Sequence, residues 1–251
     1  MKTEVCMYED FANVYDHVMN NIPYEDWFER IHDYLKSHGI AEGSICELGC
    51  GTGTMTELFA SAGYGMTGVD VSPEMLALAN MKKEESGSDI LYIEQAMEEL
   101  DLDRQFDAMI SVCDSVNYLL HDEQLDSLFA GVKKYLRPGG YMIFDMKTAF
   151  CYQNIIGNQT WVEQDEDVSY IWENYYYEDR YINEYMLTIF RRREDGLFEK
   201  SEEAHYQKAY DIDTMKEKIE AAGLEFVEAF GGDMTSEPKS SDERFYIVCK
   251  A

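Results

Sequence analysis

Residues 45–53 read I-C-E-L-G-C-G-T-G, and no other stretch of the chain narrows its fold as much. A short apolar strand that runs at once into glycines at alternate positions has to turn tightly and present bare backbone. Glycine lacks the Cβ that would hold a ligand away, and it tolerates the dihedrals of a strand-to-helix turn. A second apolar stretch, residues 66–69, ends on Asp70 about twenty positions after Gly49. An acid at that strand end is placed to accept hydrogen bonds from a ribose diol. Together these features predict a floor for a nucleoside-like ligand.

The surrounding pattern supplies the scaffold. Trp27, Phe28, Ile31, Tyr34 and Leu35 recur at helical spacing, and Gly39 stops that helix. An aromatic lead-in carrying Tyr8, Phe11, Tyr15 and Tyr24 precedes and enters it. Apolar runs at 45–48, 66–69, 90–93, 108–113 and 141–144 then predict five strands. Between them lie helices with inner faces Met55/Leu58/Phe59, Met75/Leu76/Ala79 and Leu125/Leu128/Phe129/Val132. Ser72 is the expected cap of the second of these, with Pro73 at its first position. The turn Arg137-Pro138-Gly139-Gly140 is expected to close the third. Strands alternating with helices imply a doubly wound α/β sheet covered on both faces, with ligands at the strands' carboxyl ends.

From about residue 160 to 210 the period changes to two, as in Val168, Tyr170, Trp172 and then Tyr185, Leu187, Ile189. That is the rhythm of half-exposed antiparallel strands, and it predicts an inserted β-sheet over the mouth of the nucleoside site. A last helix with Met215 and Ile219 leads to two closing strands near 226–230 and 244–249.

Charge and composition exclude several classes of function. With 21 basic and 50 acidic residues the formal net charge is -29, a field that repels phosphate backbones and anionic lipids. Nucleic-acid and membrane partners are therefore not expected. Arg191-Arg192-Arg193, beside Glu194 and Asp195, reads as a solvated strand end. No run is long enough to span a bilayer, and the first residues lack the apolar stretch of a secretion signal, so a cytoplasmic protein is expected. Cys6, Cys46, Cys50, Cys113, Cys151 and Cys249 show no C-x-x-C pairing and predict reduced thiols. His17, His32, His38, His121 and His205 are scattered without ligand spacing, so no metal site is expected.

The glycine spacing separates the candidate nucleotides. A dinucleotide fingerprint wants G-x-G-x-x-G, whereas here Thr54 stands where the third glycine would be. No Gly-Lys-Ser/Thr follows, which excludes a phosphate-binding P-loop. With E-L-G-C-G-T-G, G-V-D-V-S-P-E-M-L and L-R-P-G-G in this order, residues 8–150 resemble a class I S-adenosylmethionine-dependent methyltransferase. The lead-in F-A-N-V-Y-D and P-Y-E-D-W is similar to a bacterial subgroup that acts on small molecules, including amines. The resemblance implies a Rossmann-like sheet ending in a reversed strand, built from residues 1–150 and 211–251, with a helical lead-in over 1–40. Residues 151–210 would be the inserted antiparallel sheet, serving as a lid or as the contact of a homodimer.

The same resemblance implies which residues meet S-adenosylmethionine. Gly49, Cys50, Gly51 and Gly53 would bring backbone to its methionine part and ribose, and Glu47 would orient that loop or meet the amino group. Asp70 would bind both ribose hydroxyls, while Val71 and Met75 flank adenine, Met75 serving also as helix core. Many relatives carry an acid after the third strand to hold the adenine amino group. This chain has Gln95-Ala96-Met97 there, so Gln95 or backbone near Met97 is expected to take its place. Tyr15 resembles a position that reaches the ligand's carboxylate, with a packed aromatic as its other reading. Cys113 and Asp114 are expected beside the methionine moiety, Asp114 alternatively capping a turn. Asn117 and Tyr118 lie where relatives line the transfer site. The rival readings are an NAD(P)-dependent oxidoreductase, against which the glycine spacing speaks, and an inactive nucleoside-binding module, which the missing acid at Ala96 favours. The acidic, tyrosine-rich run Glu173 to Tyr177 suits either a cationic acceptor or a packed sheet face. No catalytic base is singled out.

Overall fold

The computed structural model describes residues 12, 15, 16, 19, 22–164, 166–193 and 195–251. Cys6, Tyr8, Phe11, His17 and Glu194, named above, lie outside them. Helix α1 (Tyr24–Ser37) buries Trp27, Ile31 and Leu35, the stripe that helical spacing predicts. Strand β1 (Ser44–Leu48) follows, then α2 (Thr54–Ser61), β2 (Gly65–Asp70), α3 (Pro73–Ser86) and β3 (Leu91–Glu94). The Ser72 side chain caps α3 by accepting from the Met75 N–H at 3.1 Å, with Pro73 inside the first turn. Next come β4 (Phe106–Ser111), a 3-10 turn (Ser115–Tyr118), α4 (Asp122–Tyr135) and β5 (Leu136–Lys147). After the second sheet, α5 (Ile212–Ala221), β10 (Glu225–Phe230) and β11 (Arg244–Lys250) close the chain.

The main sheet has the order β10-β11-β5-β4-β1-β2-β3. Strands β1 to β5 pair in parallel, and β11 runs antiparallel between β5 and β10. Successive side chains of a strand face opposite ways, so β1 feeds two cores. Cys46 and Leu48 join Met109, Phe144 and Ile247 with α4 and α5 on one face. Ile45 joins Ile110, Ile143 and Val248 with α1 and α2 on the other. Both faces being covered, the central strands can be apolar throughout. The strand order reverses between β1 and β4, and a crevice opens at the carboxyl ends of strands at such a switch point.

The second sheet is wholly antiparallel, in the order β6 (Thr160–Gln164), β7 (Val168–Tyr177), β8 (Ile182–Arg192), β9 (Phe198–Lys208). Asn183, Tyr185 and Leu187 of β8 are buried, and opposite them in register stand Gln207, His205 and Glu203 of β9, also buried. Arg191, Arg192 and Arg193 are exposed at one end and pair with Glu199, Glu166 and Asp195.

Two boundaries differ from the pattern reading. Strand β5 begins at Leu136 rather than after Gly140, because Leu136 pairs with Phe106 and a register shift before Ala108 absorbs the turn residues. Strand β4 stops at Ser111, so Cys113 lies beyond it with a positive φ of 60°. No helix among the described residues is long and apolar enough to cross a membrane.

Candidate functional site

The crevice between β1 and β4 forms a pocket of about 200 Å³. Its floor is the loop after β1. Gly51 has a φ of 54°, a conformation that costs any residue with a Cβ, and a Cβ placed there would meet nothing within 4 Å. The backbone is thus open to a ligand at this point. At Gly49 a Cβ would lie 2.7 Å from Ser115, so the glycine lets the loops after β1 and β4 touch. The lead-in is tied down beside them. Thr52 Oγ1 donates to Asp16 at 2.6 Å, and Lys82 Nζ reaches Asp16 at 2.7 Å and Thr52 at 2.9 Å. Tyr15 lines the pocket from this side, its hydroxyl 3.9 Å from Cys113 Sγ.

Asp70 ends β2 with both oxygens engaged by backbone. Gly51 N–H donates to Oδ2 at 2.7 Å and Ser72 N–H to Oδ1 at 2.9 Å. Burial pushes its carboxyl up, and those same N–H groups oppose the rise. Each oxygen keeps a second lone pair for another donor.

Glu47 lies deeper, 2 % exposed, and accepts from Thr56 Oγ1 of α2. Burial pushes its carboxyl up to about 8. The folded protein therefore keeps a proton that the unfolded chain releases in the ordinary carboxylate range. Stability is undiminished below that range and falls as pH rises towards about 8. Glu47→Gln, which cannot ionise, is expected to remove this fall, by an amount on the order of a few kcal/mol. Thermal melts of ligand-free protein across that span check it. Equal pH slopes for variant and parent would refute the buried neutral carboxyl.

Tyr15, Glu47, Gly49, Cys50, Gly51, Asp70, Val71, Met75, Gln95, Ala96, Met97, Cys113 and Tyr118 all line the pocket. Gly53 and Asp114 do not. Gly53 leads into α2 behind the floor, packed against Tyr92. Gln95 is at the wall, but Asp101 engages both ends of its carboxamide, at 3.1 and 3.0 Å. Its amide nitrogen is thereby engaged, while its oxygen keeps one lone pair. Pattern reading missed Tyr24, Thr54, Glu98 and Gln124, which also line the pocket. Thr54 follows the glycines directly and was legible; Glu98 and Gln124 come together only through folding.

Asp114 lies outside the lining of the nucleoside pocket and lines the smaller cavity that adjoins it. Its carboxylate is enclosed by Arg244 at 2.7 Å, Gln207 at 2.7 Å and Lys147 at 3.0 Å, while its N–H donates to Asp145 at 3.0 Å. Arg244 also pairs with Asp145. Burial raises the Asp114 carboxyl, but Lys147 and Arg244 overcome it and hold the group below the usual range. Two buried acids are thus balanced by two half-buried bases. They fasten a strained loop, since Cys113 and Asp114 both have positive φ, 60° and 55°. Asn117, fully buried, donates to the backbone oxygens of Lys147 at 3.1 Å and Lys208 at 2.8 Å.

A second cavity of about 50 Å³ adjoins the first and shares Tyr15, Cys113 and Tyr118 with it. Trp172, Tyr185, His205 and Gln207 of the second sheet close it, with Lys147 and Asp114 at its base. His205 Nε2 lies 3.2 Å from Glu203 Oε2, both side chains being buried.

A family model for methyltransferase domains matches residues 45–140. A methyltransferase-named protein of Geobacillus sp. (strain WCH70) is 35% identical over 97% of this chain and 99% of its own length. An S-adenosylmethionine-dependent methyltransferase from Clostridium acetobutylicum ATCC 824 superposes with a TM-score of 0.86 at 25% identity, covering 97% of this chain and 98% of the other. The chain belongs to the class I S-adenosylmethionine-dependent methyltransferases. This methyltransferase is also 30% identical, over 55% of its length and 58% of the other, to the dTDP-3-amino-3,4,6-trideoxy-alpha-D-glucopyranose N,N-dimethyltransferase of Streptomyces venezuelae. Its cofactor is S-adenosylmethionine, and the pocket fits that group on its own geometry: an open floor at Gly51 and a carboxylate at the β2 end. The NAD(P) alternative falls. The enzyme's α2 begins at Thr54, where a dinucleotide fold needs its third glycine.

Proposed function

We propose that this methyltransferase moves a methyl group from S-adenosylmethionine to the amine of a small molecule, in the cytoplasm. The observation that carries the reading is the second cavity, because Tyr15, Cys113 and Tyr118 line it and the nucleoside pocket alike. A volume of about 50 Å³ suits a small head group and is too confined for a polymer. The likeness to an amino-sugar N,N-dimethyltransferase supports an amine acceptor. The free, buried thiols of Cys46, Cys50, Cys151 and Cys249 suit a reducing compartment.

S-adenosylmethionine supplies an electrophilic methyl group on a sulfonium sulfur. The chain's own part is positioning and exclusion of water. Asp70 would hold the ribose through its hydroxyls, and Glu47 would face the amino end. Tyr15 lines the pocket, and the rings of Trp172 and Tyr185 wall the acceptor's side. His205, steadied by Glu203, accepts the proton that the amine sheds.

The test is calorimetric binding of S-adenosylhomocysteine, followed by transfer of isotopically labelled methyl to a panel of small amines and amino sugars. Binding together with label on an amine is expected. Label found only on protein or RNA would overturn the acceptor reading.

A further inference from the structure

Three carboxylates line the nucleoside pocket: Glu47, Asp70 and Glu98. Thr56 occupies the first, and the glycine loop and α3 occupy the second. The third stands in the loop after β3, where Ala96 offers no polar group and Gln95 is bound to Asp101. Gln124, in the first turn of α4, fixes it in place. The Gln124 Oε1 accepts from the N–H groups of Leu120 at 3.0 Å and His121 at 3.1 Å, which settles which way its amide points. Its Nε2 is left to donate to Glu98 Oε1 at 2.7 Å. The other Glu98 oxygen has no bond among the described residues. A carboxylate held in this way accepts hydrogen bonds and repels a carbonyl.

We propose that Glu98 receives the exocyclic amino group of adenine, two positions beyond the alanine that leaves this role vacant, with Gln124 as its positioning residue. The inference rests on the S-adenosylmethionine reading of the pocket. It makes the enzyme selective for a 6-amino purine over a 6-oxo purine.

Calorimetry with S-adenosylhomocysteine and its deaminated analogue, S-inosylhomocysteine, tests this without knowledge of the acceptor. The parent protein is expected to prefer the amino form by about tenfold, the cost of facing a half-buried carboxylate with a carbonyl instead of a donor. Glu98→Gln is nearly isosteric. Its new amide must turn oxygen to Gln124 and nitrogen to the pocket, so the preference should close or invert. Asp70→Asn, acting at the sugar, should weaken both ligands by a similar factor and leave their ratio alone. A ratio unchanged in Glu98→Gln, or absent in the parent, overturns the role of Glu98. A parent protein that binds neither ligand removes the S-adenosylmethionine reading itself, and the role of Glu98 with it.

Discussion

Asp70→Ala is expected to weaken S-adenosylhomocysteine binding by a few hundred-fold while the protein stays folded. Two hydrogen bonds from ribose hydroxyls to a charged acceptor are together worth about 3–4 kcal/mol, and about 1.4 kcal/mol is tenfold in affinity. The variant also frees the N–H groups of Gly51 and Ser72 that Asp70 now holds at 2.7 and 2.9 Å. Loss of that anchor loosens the floor itself. Stability should change little, because burial already disfavours the ionised carboxylate before ligand arrives. Asp70→Asn, which keeps one acceptor, should fall between. Calorimetry on the three proteins decides it: affinity in Asp70→Ala within a few-fold of the parent would show that the sugar binds elsewhere.

Asp114→Ala should produce the largest loss of stability, about 3–5 kcal/mol by denaturant titration, the range for removing one partner of a buried ion pair. Arg244 would be left with Asp145, and Lys147 with only the Tyr185 hydroxyl at 3.5 Å. Alanine is also a poor occupant of a φ of 55°, whereas asparagine tolerates it. Asp114→Asn should therefore cost less, keeping its backbone while losing its charge. The pH dependence separates charge from shape. Asp114 is held below the ordinary carboxylate range, so its contribution is complete above that range and disappears as pH falls through the lowered value. Asp114→Asn should accordingly lose less stability on acidification than the parent. Identical acid limbs in parent and variant would mean that the cluster contributes by packing alone.

The parts of this molecule that could be read in advance are those governed by local chemistry. The glycine loop, Asp70, the Ser72–Pro73 cap and the two hydrophobic periods each depend on residues near one another in the chain. The ion-pair cluster around Asp114 was not legible, because its letter at a strand end reads equally as a ligand contact or a turn cap. Its partners Lys147, Gln207 and Arg244 lie up to 130 positions away, and only the assembled sheets bring them together. Gln95 lines the pocket as its position predicts, and its contact with Asp101, six residues on, is one that no period signals. Glu98 was visible as a letter. Its direction came from Gln124, across the gap between the loop after β3 and the first turn of α4.

The single carboxamide of Asn117 grips the chain both where it leaves the main sheet, at Lys147, and where it returns, at Lys208. Whatever polypeptide runs between those two carbonyls starts and finishes at neighbouring points. Within it, Gln207 reaches back to hold Asp114 at 2.7 Å, so the part next to the return point is tied to the floor. The remainder of that stretch can change in length without moving the two anchor points.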